Sequence, residues 1–374
     1  MVELGWTPHH LGEEALRICE EINLKLLFQD FSKIGGMQEN YLDRPVSEED
    51  VKAFVEHAKP YKCVEGYYVW DEPYVPDQLY EARRQTDFCR KYDEDRLAFT
   101  VAIPSYNMKY RWENGLFAYY LENYVTTINP EVLSLDYYPI GLPGYNENDK
   151  LNNSLMWCDL GCMRALADKY KLPLWFYYQG LAMHGYENFT EEMIRVSMYA
   201  AVLYGAKGLQ QYNNSGSVID GKGDRYKFFD YMKAIHKEFE HLGNILMALH
   251  SKYIFHSDDL LPGCKYHEGL YNDIKESEVL YTTLPANTSV GELADDYGHE
   301  YLAVLNRDYT KEADISLALK KNYHIFLLDR ADGREKYLGI KNTLDLSLGK
   351  GDALIYRLAD AKEEAYTLEY RIEK

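Results

Sequence analysis

Two adjacent carboxylates, Asp71 and Glu72, end a run of apolar and aromatic residues, Gly66-Tyr67-Tyr68-Val69-Trp70, and Pro73 closes it. β-Branched and aromatic residues favour a buried strand, and proline cannot continue its ladder. The run therefore predicts a strand over 64–71 that delivers both acids to its C-terminal lip. A carboxyl in an aromatic, poorly solvated pocket is held protonated towards neutral pH, and a second carboxylate one residue away pushes the same way. That is the condition a general acid must meet. A third acid, Asp136, ends Val132-Leu133-Ser134-Leu135 in the same manner, ahead of Tyr137-Tyr138-Pro139. The plainer readings are that Asp-Glu-Pro is ordinary loop composition and that Asp71 caps the helix that follows.

Positioning such groups requires a scaffold, and up to about residue 250 the pattern alternates short apolar strands with amphipathic helices, which predicts a parallel sheet with helical crossovers. Strands are expected over 2–6, 25–31, 64–71, 97–103, 132–136, 174–179 and 208–212. Helices are expected between them, one opening on a capping box at Ser47 and Asp50, and a long one carrying an apolar stripe from Phe228 to Leu249. Seven strands are one fewer than a closed eightfold barrel needs. Beyond residue 250 the apolar period becomes two, with segments over 278–284, 300–306, 315–319, 323–328, 344–348 and 353–358 and a hairpin signal at Asp332-Gly333. This predicts an antiparallel sandwich over 251–360, followed by a charged tail or edge strand over 361–374.

Composition narrows the partners. The 374 residues carry a formal charge of −19, which repels phosphate backbones and anionic lipid surfaces, so neither nucleic acid nor a membrane is an expected partner. Tyrosine is abundant at 36 residues beside 13 Phe and 5 Trp, a composition suited to stacking on sugar rings and equally to filling sheet interiors. Cys19, Cys63, Cys89, Cys158, Cys162 and Cys264 lack zinc or redox spacing and are expected to be buried reduced thiols. His184 and His256 have no partner pattern and read as loop or packing residues. Residues 1–10 show no basic segment followed by an apolar core, and no stretch approaches the roughly 18 apolar residues of a membrane span, so a soluble, cytoplasmic protein is expected.

The chain resembles glycoside-hydrolase-like TIM barrels with a C-terminal β-sandwich, of the kind found in gut and soil bacteria. The resemblance lies in Gly66 through Pro73, Val132 through Pro139, Pro173 to Gln179 and Tyr204-Gly205-Ala206-Lys207-Gly208-Leu209-Gln210, and spans most of residues 1–250. It implies a (β/α)8-type TIM barrel over 1–250. In that clan the acid/base glutamate closes the fourth strand, commonly after asparagine and before proline. Glu72 stands in that place with Asp71 where asparagine would be, but on the third strand by count. The resemblance therefore implies a barrel lacking its first βα unit. Retaining members carry a second glutamate at the end of the seventh strand, where this chain has Gln179, which cannot form a glycosyl ester.

Three mechanisms stay open. Asp136 acts as base or nucleophile, with carboxyl separation distinguishing inverting from retaining geometry. Or Asp71 and Glu72 work as the adjacent pair of substrate-assisted hexosaminidases. Or the barrel binds carbohydrate without cleaving it. The implied activity is hydrolysis of O-glycosidic bonds in an oligosaccharide or glycoconjugate, with Glu72 as proton donor, Asp136 or Asp71 as its partner, and no metal or organic cofactor. The alternative is a non-catalytic carbohydrate-binding barrel. A metal-dependent barrel would need clustered histidines, which only His9 and His10 approach. Further residues at expected strand ends are pocket candidates: His9, His10, Gln29, Asp30, Tyr106, Gln179, Gln211, Tyr212 and Asn213 for hydroxyl recognition, with Trp70 and Tyr138 as stacking faces. His9 and His10 are equally placed to lead into a helix.

Overall fold

A computed structural model describes residues 4–6, 12–37, 40–41, 45–107, 116–138, 140, 155–181, 189–212, 216–257, 272–281 and 283–368. Contacts divide the chain into two compact units, the first Val2–Asp136 with Ala165–Phe176, the second Tyr137–Arg164 with Tyr177–Lys374. The change from α/β to antiparallel β near residue 250 falls inside the second unit.

The first unit contains β1 (Leu4–Trp6), α1 (Gly12–Ile22), β2 (Lys25–Phe28), β3 (Gly36–Met37), β4 (Asn40–Tyr41), α2 (Glu48–Ala58), β5 (Val64–Asp71), α3 (Pro76–Tyr92), β6 (Leu97–Val101), α4 (Leu116–Ile128) and β7 (Leu133–Asp136). β1, β2, β5 and β6 are successive parallel neighbours. β7 joins through a parallel bridge from Leu135 to Ala102, whose N–H donates to the Ser134 carbonyl at 2.8 Å. Parallel strands covered on both faces read as near-continuous apolar runs, which is why β5 is buried at six of its eight positions. Its Val64, Tyr67 and Val69 meet Leu16 of α1, Val51 and Phe54 of α2 and Cys89 of α3 in one core. The capping box opens α2 as expected: Ser47 Oγ accepts from the Asp50 N–H at 3.1 Å, and Asp50 Oδ2 accepts from the Ser47 N–H at 2.8 Å. The two-residue strands β3 and β4 were not foreseen.

Helix α5 (Met156–Tyr170) and strand β8 (Leu174–Gln179) are each divided between the units. In the first unit the Leu133 N–H donates to the Pro173 carbonyl, and in the second the Tyr137 N–H donates to the Tyr177 carbonyl. The register rises together along both segments, as in a parallel pair. The second unit continues with α6 (Glu191–Leu203), β9 (Gly208–Tyr212), which neighbours β8, and α7 (Phe229–Ala248). Met232, Ile235, Phe239 and Leu242 of α7 are buried along the stripe read from the sequence.

The rest of the second unit is one six-stranded antiparallel sheet, β10 (His250–His256), β11 (Thr288–Ala294), β12 (Glu300–Asn306), β13 (Ala313–Leu328), β14 (Glu335–Leu348) and β15 (Ala353–Asp360), ordered β10-β11-β12-β15-β13-β14. Two of the expected segments, 315–319 and 323–328, are one continuous strand, β13. β15 pairs with its second half only, so Ile315, Leu317 and Leu319 are free to pack with Leu344, Leu346 and Leu348 against Val290, Leu302 and Tyr356. A single hydrogen-bonded sheet thus supplies both apolar layers of the core. Among the described residues of the segment expected as a strand at 278–284, Leu280 forms an isolated bridge, while β10 and β11 were missed. Residues 361–368 form no strand, but the Tyr366 carbonyl accepts from Arg357 and the Leu368 N–H donates to Glu335 at 2.8 Å.

The expectation of six reduced thiols is corrected at one position. Cys158 is disulfide-bonded, whereas Cys19, Cys63, Cys89 and Cys162 are buried free thiols. Helical i,i+4 spacing had suggested Cys162 as the neighbour of Cys158, a geometry that cannot bridge well, and Cys162 is indeed not the partner. Among the described residues no helix is long and apolar enough to cross a membrane.

Candidate functional site

The first unit gathers its acids at the C-terminal ends of β5 and β7. In the β5–β6 register Tyr68 lies opposite Phe99 and Trp70 opposite Thr100, leaving Val69 as an extra residue. Side chains alternate along a strand, so one inserted residue reverses the faces beyond it. Without the bulge, Asp71 would share the helix-facing side of Tyr67 and Val69. With it, Asp71 pairs with Val101 on the face of Phe99 and Tyr68, and the Tyr68 hydroxyl donates to Asp71 Oδ1 at 2.9 Å. On the other edge, β3 pairs Met37 with Asp71.

Glu72 follows in a left-handed conformation, φ 54°, which non-glycine residues adopt at a cost and which is a pointer to function when the surroundings enforce it. Its N–H donates to the Val101 carbonyl at 3.0 Å, and the residue is 4% exposed. The next turn is pinned by Tyr120 of α4, whose hydroxyl donates to the Pro73 carbonyl and accepts from the Ile103 N–H, both at 3.0 Å. Helix α3 begins only at Pro76 with Val75 as its N-cap, so Asp71 does not cap it.

Electrostatics tie the three acids together. Burial first, and the Glu72 charge second, push the Asp71 carboxyl from 3.8 up to about 7, against the opposing hydrogen bond from Tyr68. Burial and then the Tyr124 hydroxyl raise the Tyr120 phenol well above its ordinary value, and the charges of both Glu72 and Asp136 add to that rise. Asp71 likewise adds to the rise that burial imposes on Tyr124, whose hydroxyl meets Thr100 Oγ1. Asp136 itself ends β7 and is 8% exposed. The charges of Glu72 and Asp136 are thus felt at Tyr120, and that of Asp71 at Tyr124. The arrangement can hold a proton on Asp71 near neutral pH, which suits proton donation to a leaving oxygen.

The other candidates fall out differently. In the first unit Asp30 Oδ1 accepts from the Ser32 N–H at 3.0 Å and from its hydroxyl, closing an Asx turn. Trp70, 1% exposed, lies opposite Thr100 on the side facing α4 and presents no open stacking face. Gln29 is buried, and Tyr106 is partly exposed in the short turn Ser105–Asn107. In the second unit Tyr138 and Tyr212 stack on each other at 4.2 Å. The Gln179 amide is fully engaged, accepting from the Ile140 N–H at 2.8 Å and donating to the Ile140 and Leu181 carbonyls at 2.6 and 2.9 Å. It acts as a peptide-like clamp on the chain after β7. Gln211 Oε1 accepts from the Tyr178 hydroxyl at 3.4 Å, and that hydroxyl meets His236 Nε2 at 2.9 Å. His256 is held by the Tyr204 hydroxyl and Ser289 Oγ. His9, His10, His184 and Asn213 lie outside the described residues. Among the described residues no group of three His, Cys, Asp or Glu could hold a metal ion.

Sequence reasoning missed Tyr68, Tyr120 and Tyr124. Tyr68 was inside the quoted motif, and Tyr120 and Tyr124 stand four residues apart on a helix, so their common face was available to be read.

No family model matches the chain, and no curated protein does. Solved structures do. A GH27 β-L-arabinopyranosidase from Geobacillus stearothermophilus is similar with a TM-score of 0.52 at 10% identity, over 95% of this chain and 78% of that one. An α-galactosidase from Saccharomyces cerevisiae is similar with a TM-score of 0.51 at 11% identity, over 93% and 82%. At such identities the likeness is one of fold, and the fold of this chain is glycoside-hydrolase-like.

Proposed function

We propose that the protein is a glycoside hydrolase acting on O-glycosidic bonds of an oligosaccharide or glycoconjugate, with the Asp71–Glu72 pair as proton donor and Asp136 as the second carboxylate. The observation that carries this reading is the adjacent pair at the end of β5, Glu72 buried and Asp71 partly so, in which Asp71 accepts from the Tyr68 hydroxyl and is raised to about 7 by desolvation and by the charge of Glu72. A carboxyl half protonated near neutral pH gives its proton to the glycosidic oxygen as the C1–O bond breaks. As a carboxylate, Asp136 would then stabilise the positive charge developing at C1 or take a proton from the attacking water. The glycosidase-like fold supports the same assignment without naming the sugar. Gln179, spent on backbone hydrogen bonds, is not a candidate nucleophile.

The test is hydrolysis of a panel of aryl glycosides, α-galactoside and β-L-arabinopyranoside included, by the wild type, Asp71→Asn, Glu72→Gln and Asp136→Asn. Loss of one member of an acid/base set lowers kcat by about 10²–10⁴-fold. Turnover that survives all three substitutions removes these residues from the chemistry. Saccharide binding with no turnover in any protein supports the carbohydrate-binding alternative instead.

A further inference from the structure

The Tyr68 hydroxyl is bonded to the reacting pair, and several independent features hold it there. Its ring is 5% exposed and lies between Phe31, centroids 5.8 Å apart, and Phe99, 5.1 Å apart. It stands three positions before Asp71, a spacing that places side chains on opposite faces of a regular strand. The bulge at Val69 cancels that parity and brings the hydroxyl to 2.9 Å from Asp71 Oδ1. A bulge that re-aims a side chain beside a carboxyl pair is a positioning device.

We propose that Tyr68 is a positioning residue for the acid pair, its hydroxyl fixing Asp71 Oδ1 so that the remaining carboxyl oxygen faces the substrate. This rests on the reading of Asp71 and Glu72 as the proton-donating pair. A hydrogen bond donated to the carboxylate favours its ionised form, so Tyr68 opposes burial and the Glu72 charge and sets where between them Asp71 titrates.

The experiment compares wild type, Tyr68→Phe and Glu72→Gln by carbon NMR titration of the Asp71 carboxyl, assigned with Asp71→Asn, and by the pH profile of kcat. Losing a charge-assisted hydrogen bond raises the midpoint by about one pH unit in Tyr68→Phe. The limb of the kcat profile that reports loss of the acid moves up with it, while KM holds. Glu72→Gln moves the midpoint down. A Tyr68→Phe midpoint that stays at the wild-type value, with the amide spectrum intact, overturns the proposal. So does a kcat limb that stays fixed while the midpoint moves. If the wild type cleaves no glycoside yet the midpoint shifts as stated, the hydrolase reading falls while the hold of Tyr68 on Asp71 stands.

Discussion

At the scale of single residues, Asp71 makes stability and proton donation compete. Its carboxyl is raised from 3.8 to about 7 in the folded protein by burial and the Glu72 charge, so the folded state binds a proton that the unfolded chain releases. Its contribution is fully present below about pH 4 and is lost as pH rises through about 7, a loss on the order of a few kcal/mol. Asp71→Asn, neutral at every pH, should escape that loss. In urea unfolding at pH 4.5, 6 and 8 its stability relative to wild type should grow with pH, and a constant difference would remove the linkage. The adjacent acids were legible because carboxylates after an apolar run are conspicuous in one dimension. The left-handed φ of Glu72 and the hydroxyl of Tyr120 that pins the turn after it were not, because they depend on how a helix and two strand ends meet.

At the scale of elements, strands covered on both faces announced themselves: β5 and β8 run over the residues expected, as does the more exposed β9. Composition cannot show an inserted residue, so the reversal of faces at Val69 was invisible. The two-residue strands β3 and β4 are too short to carry a period. β11 was hidden by Gly291, which weakens a strand pattern but admits helix α6: a Cβ there would lie 3.1 Å from the Leu203 carbonyl oxygen. Gly35 is the tightest point beside the site. It leads into β3 at φ 79°, its N–H donates to Gln85 Oε1 at 2.7 Å, and an added Cβ would sit 1.9 Å from the carbonyl oxygen of Val69, the bulged residue. Gly35→Ala therefore cannot be absorbed by a side-chain rotation. It should destabilise by about 2–4 kcal/mol and shift β3, which pairs with Asp71. Urea unfolding measures the first effect and hydrogen exchange at Met37 the second. An alanine variant with wild-type stability would mean that the loop does not pass over the bulge.

At the scale of the whole molecule, the −19 charge makes the few places where cations are sequestered among acids consequential. In the second unit Arg195 of α6 grips Glu238 of α7 through two bonds at 2.8 and 3.0 Å and reaches Asp352 at 3.1 Å. Arg330, in the turn between β13 and β14, grips the same Asp352 with both terminal nitrogens. Two cations and two anions thus bind the helices to the turns of the C-terminal sheet, alongside the direct packing of α6 on β11 at Gly291. Each of the four side chains is at most 26% exposed, so solvent screening is partial. Removing one acid strands two guanidinium groups on a single carboxylate. Asp352→Ala should cost about 3 kcal/mol, and Arg330→Met should recover part of that loss when combined with it, because the uncompensated charge leaves with the arginine. A double-mutant cycle in urea reads the coupling. Strict additivity would show that the quartet contributes as separate surface pairs, and the attachment of the sheet to the helices would then rest on apolar packing alone.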